Sequence, residues 1–218
     1  MAESTAPARR AIVDPGSPAA EAFRTLRLAL QLRAPAGGSL PVLVTSAEPG
    51  AGKSTTVANL ALVSALGNAH VLLIDADVRK PVQHEIFGLS RTPGLVEALA
   101  GGESLVPYVQ AGPGRLEVLT AGSGVARSSD VTSTARMTEL LREASGLYDL
   151  VLLDTSPILA TADVEAMAVR GDVEVLVVVD RASHGRSITK ALRRLELIDA
   201  KIAGIVLNRE GQREVYGY

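Results

Sequence analysis

Runs of apolar residues without polar alternation recur along the chain and are separated by segments with helical periodicity. A run of this kind predicts a strand that is covered on both faces, as in a parallel sheet. We expect strands at Val42–Thr45, His70–Asp77, Leu116–Thr120, Tyr148–Pro157 (where the strand ends in Asp154), Val173–Asp180 and Ile202–Asn208.

Between these runs, apolar residues three or four positions apart indicate amphipathic helices. The first helix is expected to begin near Ser17, with Pro18 in its first turn. The alternation of strands and helices predicts an α/β fold, a doubly wound, mostly parallel sheet flanked by helices on both faces. Further helices are expected at Ser54–Leu66, Thr134–Ala144, Asp163–Arg170 and Arg186–Ile198, with shorter helical pieces at Val82–Phe87, Gly94–Ala100 and Leu105–Val109.

Composition narrows the classes of function. The net charge of −2 argues against a general nucleic-acid-binding protein. Because the chain contains no cysteine, disulfides and thiolate metal sites are excluded. The longest apolar runs are too short to span a bilayer, and no signal-peptide pattern opens the chain. We therefore expect a cytoplasmic protein.

A glycine-rich turn joins the first strand to the second helix, which is the context of a phosphate-binding loop. The pattern G-x-x-x-x-G-K-[ST] is matched except that Ala47 occupies the place of the first glycine. Backbone N–H groups of such a loop bind an anion, the lysine reaches the β- and γ-phosphates, and the following hydroxyl ligates Mg²⁺. We therefore expect ATP and Mg²⁺ to bind at Glu48, Pro49, Gly50, Ala51, Gly52, Lys53, Ser54 and Thr55.

Acidic residues follow two of the predicted strands. Asp75 and Asp77 end the second strand, and Asp154 ends the strand that begins near Tyr148, in the manner of a Walker B element. In an open α/β sheet, ligands bind beyond the carboxyl ends of the strands, and carboxylates there suit Mg²⁺. We expect Ser54, Asp77 and Asp154 to hold the metal. Lys53 and the three aspartates are the catalytic candidates.

Three further features have two interpretations from the residues alone. Asn208, at the end of the last strand, is placed to contact an adenine edge or to form a turn. Glu21, Arg24 and Arg27 recur every three residues, and their spacing by itself favours a solvated, salt-bridged helix surface. The chain has only four tyrosines, and two of them, Tyr216 and Tyr218, lie in the last three residues, an unusual arrangement that chance could also produce.

Four segments together resemble the cytoplasmic kinase domain of the bacterial tyrosine kinases, the polysaccharide co-polymerase autokinases. They are E-A-F-R-T-L-R at Glu21–Arg27, S-A-E-P-G-A-G-K-S-T at Ser46–Thr55, L-L-I-D-A-D-V-R-K-P at Leu72–Pro81 and Y-D-L-V-L-L-D-T-S-P at Tyr148–Pro157. The family usually has a proline where this chain has Ser156. The resemblance implies a protein-tyrosine autokinase that regulates capsule or exopolysaccharide synthesis and export. Either Asp75 or Asp77 would then be the base that accepts the proton of the tyrosine hydroxyl.

The resemblance also implies partners and an organisation of the chain. Glu21, Arg24 and Arg27 would pack on a neighbouring subunit in a ring, and Tyr216 and Tyr218 would be phosphoacceptors in trans. A separate membrane co-polymerase would activate the enzyme at the inner face of the membrane, and a cognate tyrosine phosphatase would reverse the reaction. We expect an N-terminal arm at 1–18, the kinase domain at 19–210 and a tyrosine-bearing tail at 211–218.

Two other functions remain open at this point. A switch ATPase of the ParA/MinD class would share the fold, but those proteins usually carry a lysine where this chain has Glu48. A nucleotide-binding scaffold of a polysaccharide co-polymerase would not need the intact set of Lys53 and the three aspartates.

Overall fold

The strands form one mostly parallel sheet. A computed structural model describes residues 12–34, 39, 41–101, 104–123, 135–170 and 172–209. Its strands are β1 (Val42–Ser46), β2 (Val71–Asp75), β3 (Gln110–Ala111), β4 (Leu116–Leu119), β5 (Leu150–Asp154), β6 (Glu174–Asp180) and β7 (Ile202–Asn208). Their order in the sheet is β3-β4-β2-β5-β1-β6-β7, and every pair is parallel except β3 with β4.

Helices cover both faces of this sheet. They are α1 (Pro18–Gln31), α2 (Lys53–Leu66), α3 (Gln83–Phe87), α4 (Leu95–Gly101), α5 (Ala135–Leu147), α6 (Asp163–Arg170) and α7 (Gly185–Leu197), with a 3-10 turn at Val106–Tyr108. Apolar side chains of α1 and α2 pack on one face, and those of α4, α5, α6 and α7 pack on the other. Strands buried on both faces are the reason that the apolar runs lack alternation.

The structure confirms the predicted α/β fold class and refines several elements. β2 ends at Asp75, so Asp77 lies in the loop that follows the strand. The helical piece expected at Leu105–Val109 is only a 3-10 turn. The short antiparallel strand β3 was not predicted, since two residues carry no periodicity. None of the helices in the described ranges is both long and apolar enough to cross a membrane.

Only part of the expected N-terminal arm lies among the described residues. Residues 1–11 of the arm, residues 124–134 and the tail beyond residue 209 lie outside the described residues. The described part of the arm contacts the domain, because the backbone N–H of Val13 donates to Asn59 Oδ1 at 2.7 Å. Ser17 caps α1 by accepting from the N–H of Ala20 at 3.3 Å. The proposed boundaries of arm and tail stay predictions.

A glycine at the start of α4 allows two backbones to approach closely. A Cβ atom on Gly94 would lie 2.2 Å from the carbonyl oxygen of Thr120 and 2.5 Å from the amide nitrogen of Gly122. The Thr120 carbonyl accepts from the N–H of Leu95 at 2.7 Å, and the N–H of Gly122 donates to the carbonyl of Arg91 at 3.1 Å, so a shift of either backbone atom strains a hydrogen bond. We therefore predict that Gly94→Ala lowers the free energy of unfolding by about 2–3 kcal/mol, as overpacking does. Urea unfolding followed by circular dichroism measures it.

The matched control is Gly101→Ala at the other end of the same helix. No atom of the described residues lies within 4 Å of a Cβ on Gly101, so this change is expected to leave stability unchanged or to raise it by up to about 1 kcal/mol. Equal effects of the two substitutions would contradict a tight contact at Gly94.

Candidate active site

The loop between β1 and α2 is shaped by two glycines in the left-handed region. Gly50 has φ = 92° and Gly52 has φ = 86°, angles that a residue with a Cβ rarely adopts. Gly52 is also the N-cap of α2, and no side chain in the described part of the chain caps the helix there. The first N–H groups of α2 have no partner within the helix, and the helix dipole is positive at this end. The backbone therefore has the geometry of an anion site, and phosphate binding at these residues stays a prediction.

An open cavity of about 390 Å³ lies over this loop. Residues that follow β2 and β5 close its other side, so the carboxyl ends of the central strands meet the phosphate-binding loop. The cavity is lined by Pro49, Gly50, Gly52, Lys53, Ser54, Thr55, Asp77, Arg79, Lys80, Val82, Ser156, Pro157, Ala160, Thr161 and Arg209. Asp75 and Asp154 lie behind this lining and have no exposed surface.

The ammonium group of Lys53 lies between two carboxylates. Lys53 Nζ is 3.1 Å from Asp77 Oδ2, 3.2 Å from Asp154 Oδ1 and 3.0 Å from Ser54 Oγ. Burial lowers the pKa of Lys53, but the charges of Asp154 and Asp77 outweigh this effect and the pKa is raised overall. Lys53 is therefore charged, and it neutralises part of the acidic cluster.

Asp75 has a different environment from the other two acids. Its Oδ2 accepts from the backbone N–H groups of Val82 and Gln83, each at 3.0 Å, while burial and the charge of Asp154 disfavour ionisation. These effects raise the pKa of Asp75 to about 8. Asp75 is therefore mainly protonated at neutral pH. A carboxyl group that already carries a proton is a poor base.

Asp77 faces the cavity and is held by hydroxyl and amide donors. Ser156 Oγ donates to Asp77 Oδ1 at 2.7 Å, and the backbone N–H of Lys80 reaches the same oxygen at 3.2 Å. Ser156, where the family usually has proline, therefore contributes a polar contact to the site. This contact leaves Asp77 Oδ2 to Lys53.

A glutamine that no sequence motif singles out completes the cluster. Gln83, at the start of α3, has no exposed surface. Its Nε2 donates to Asp154 Oδ2 at 2.7 Å and to the carbonyl of Ser54 at 3.1 Å. No periodicity or motif distinguishes this glutamine from one on a helix surface, so a structure was needed to find it.

Two predicted nucleotide contacts have other partners here. The carboxylate of Glu48 accepts from Ser187 Oγ at 2.9 Å and lies 3.5 Å from His184 Nδ1, at the start of α7. Asn208 Nδ2 donates to the carbonyl of Ala51 at 3.0 Å and thereby supports the loop. Their contact with a nucleotide stays a prediction. The next residue, Arg209, lines the cavity and pairs with Asp180 at 3.2 Å, and sequence reasoning missed it.

The predicted interface residues lie on α1, away from the cavity. Arg24 pairs with Glu21 and donates to the carbonyl of Pro15 at 2.7 Å. Arg27 donates to the carbonyls of Gly67 at 3.3 Å and Ser64 at 3.5 Å, at the C-terminal end of α2. The guanidinium group of Arg27 is therefore partly engaged in hydrogen bonds within the chain. Tyr216 and Tyr218 lie outside the described residues.

The residues present fit a magnesium nucleotide. Mg²⁺ usually takes one or two protein oxygens together with phosphate and water oxygens. Ser54 Oγ and one oxygen each of Asp77 and Asp154 converge on the Lys53 ammonium, so a positive charge is already accommodated at that point. The uncapped start of α2 supplies donors for phosphate oxygens beside it.

Comparisons with known proteins agree with this geometry. The family model of the CobQ/CobB/MinD/ParA nucleotide binding domain matches residues 42–216. The tyrosine-protein kinase YwqD of Bacillus subtilis strain 168 is 38% identical over 211 residues, which are 95% of this chain and 89% of YwqD. EpsB of Ralstonia solanacearum is 39% identical over 94% of this chain, but the chain spans only 28% of EpsB.

A solved structure gives the same result. The kinase domain of the Escherichia coli tyrosine kinase ETK superposes with a TM-score of 0.83 at 30% identity, covering 100% of this chain and 88% of that domain. The chain therefore belongs to the CobQ/CobB/MinD/ParA nucleotide-binding family and, within it, to the bacterial tyrosine-protein kinases.

Proposed function

We propose that this chain transfers the γ-phosphoryl group of ATP to tyrosine hydroxyls, including those of its own tail. The observation that carries the proposal is the Lys53 ammonium, which lies between Asp77 and Asp154 at the start of an uncapped helix beside an open cavity. Phosphoryl transfer depends on positioning and on neutralising charge, and these groups serve both needs.

Each residue of the site then has a role. The backbone N–H groups from Gly50 to Thr55 bind the phosphates, and Lys53 moves from the acids to the β- and γ-phosphate oxygens. Ser54 and Asp154 hold Mg²⁺, which supplies neutralising charge when it is bound. Asp77, also expected as a metal ligand, borders the cavity and is therefore the better candidate base.

The geometry favours Asp77 over Asp75 as the proton acceptor. Asp77 lines the cavity that a substrate enters, whereas Asp75 is fully buried and bonded to two backbone amides. In the step, the tyrosine oxygen forms a bond to the γ-phosphorus, the bond from that phosphorus to the β,γ-bridging oxygen breaks, and ADP leaves. The phenolic proton passes to Asp77.

The acceptor and the assembly complete the proposal. The tail at 211–218 presents Tyr216 and Tyr218 to a neighbouring subunit of a ring, in which Glu21, Arg24 and Arg27 contribute to the interface. A membrane co-polymerase activates the kinase at the inner face of the membrane, a tyrosine phosphatase reverses the modification, and the cycle regulates capsule or exopolysaccharide synthesis. The support for these finer statements is the resemblance to polysaccharide-associated kinases.

Mass spectrometry of the full chain tests the activity. After incubation with ATP and Mg²⁺, we expect phosphate on the tail of the parent protein and none there in Tyr216→Phe/Tyr218→Phe. Lys53→Met is expected to lower the rate about 100-fold or more, since it removes the cation that stabilises the transferred group. Circular dichroism controls for folding, because the variant leaves Asp77 and Asp154 without their ammonium.

Other outcomes would favour the alternatives. Production of ADP without phosphotyrosine, even with the cytoplasmic tail of a candidate membrane partner present, would contradict the kinase and favour a switch ATPase. Nucleotide binding without turnover would favour a nucleotide-binding scaffold.

The assignment of the base gives a second prediction. Asp77→Asn is expected to lower the rate of transfer about 100-fold or more while magnesium ADP still binds with similar affinity. Asp75→Asn is the matched control, because Asp75 is mainly neutral and the amide resembles the protonated acid. We expect it to change transfer only about fivefold at most, since it replaces no charge at neutral pH. If Asp77→Asn weakened magnesium ADP as much as it slowed transfer, Asp77 would be a metal ligand instead.

The ring interface gives a third prediction. Arg24→Ala is expected to dissociate the oligomer with little effect on stability, about 0.5 kcal/mol or less, because its ion pair with Glu21 is largely exposed. Arg27→Ala is expected to lower the free energy of unfolding by about 1 kcal/mol, because it removes bonds to the end of α2. Sedimentation velocity and urea unfolding measure the two effects. An Arg24→Ala protein as fully assembled as the parent would argue against the interface.

A further inference from the structure

Gln83 is a polar residue buried beside the acidic cluster. It has no exposed surface, and its Oε1 has no hydrogen-bond partner among the described residues. A buried amide oxygen without a partner is unfavourable. The donor end of the amide must therefore account for the presence of glutamine at this position.

That donor end joins two elements of the nucleotide site. Nε2 lies 2.7 Å from Asp154 Oδ2, at the end of β5, and 3.1 Å from the carbonyl of Ser54, in the first turn of α2. The backbone N–H of the same residue donates to Asp75 Oδ2 at 3.0 Å, at the end of β2. A single residue thus connects both acid-bearing strands with the phosphate-binding helix.

The two oxygens of Asp154 have different partners. Oδ1 contacts the Lys53 ammonium at 3.2 Å, whereas Oδ2 is bonded to Gln83. The Ser54 side chain also bonds to this carboxylate. When phosphates draw Lys53 away and the Ser54 hydroxyl turns to Mg²⁺, the carboxylate could rotate about its side-chain torsions unless another group holds it. The bond to Gln83 lies on the opposite oxygen and does not depend on Lys53, so Asp154 keeps its orientation.

The neutrality of glutamine also matters. A lysine or arginine at this position would bond to the carboxylate just as well but would add a positive charge that repels a divalent cation. An amide donates a hydrogen bond and leaves the negative charge of Asp154 available. Groups that orient metal ligands in this way typically change metal affinity or activity 10- to 100-fold when they are removed.

We propose that Gln83 is a positioning residue that holds Asp154 with Oδ1 turned toward the magnesium nucleotide. The proposal rests on the proposed function only in taking Asp154 as the residue that interacts with Mg²⁺. Gln83 itself does not touch the reacting groups and acts through Asp154.

Calorimetry with ADP tests this role without measuring transfer. ADP affinity is measured with Mg²⁺ and with EDTA, and the ratio of the two gives the gain due to the metal. Gln83→Met keeps the length of the side chain but removes its donors, and we expect the gain to fall about tenfold or more. The affinity in EDTA is expected to stay within about twofold, because the phosphate-binding backbone is unchanged.

Gln110→Met is the matched control. Gln110 is also a hydrogen-bonded glutamine, since its Nε2 donates to the carbonyl of Ser90 at 2.8 Å, but it lies on β3 at the far edge of the sheet. We expect this variant to bind magnesium ADP like the parent. A full metal-dependent gain in a stable Gln83→Met protein would overturn the proposal and leave Gln83 a packing residue.

A double-mutant cycle separates positioning from general loosening of the site. In an Asp154→Asn background, Gln83→Met should produce little further loss, because the carboxylate that it orients is gone. Additive losses would overturn the proposal. If Gln83→Met does not fold, Gln83→Asn, which is one methylene shorter and does not reach Asp154, is measured with the same expectations. This experiment measures only ADP binding. Failure to phosphorylate tyrosine would therefore contradict the proposed kinase activity but would not change the result for Gln83.

Discussion

The site depends on a buried cation held between carboxylates. β2 and β5 are neighbours in the sheet, and their register places Asp75 beside Asp154 at the ends of the two strands. Asp77 follows two residues later, and all three acids are at most 4% exposed. Charges of one sign at this depth repel strongly, since water does not screen them. The Lys53 ammonium offsets two of the negative charges, and the raised pKa of Asp75 favours a neutral carboxyl at the third position.

Neutral groups then determine how the charged groups are oriented. Ser156 and the backbone N–H of Lys80 bond to one oxygen of Asp77, and Gln83 bonds to one oxygen of Asp154. In each acid the remaining oxygen contacts Lys53. Both carboxylates are therefore directed toward the same point without any additional positive charge. A site that must accept a divalent cation requires this division between charged and neutral partners, because further cations would compete with the metal.

The sequence was sufficient to predict those parts of the site that directly follow hydrophobic runs. Asp75 and Asp154 end strands of a parallel sheet, and such ends meet at one edge, so their proximity could be predicted. Gln83 could not be predicted, because its bond to Asp154 spans 71 residues and a glutamine at a helix start carries no signal of burial. The spacing of Arg27 resembles an exposed helix surface, yet its guanidinium bonds to the end of α2, a contact 37 to 40 residues away in the chain. Periodicity indicates which face of an element is apolar but not which polar groups meet across elements.

The position of Lys53 has a consequence for how a nucleotide enters the proposed kinase. Lys53 stabilises Asp77 and Asp154 in the structure, but in the proposed kinase the phosphates of ATP would draw on the same ammonium. A nucleotide without metal would therefore bring several negative charges and also remove the cation on which the acids depend. With a divalent cation, the positive charge beside the carboxylates is restored as Lys53 leaves them. Gln83 and Ser156 matter most at that moment, because their bonds to Asp154 and Asp77 persist while the ammonium moves. The charge balance of the site thus links nucleotide binding to the metal through one lysine.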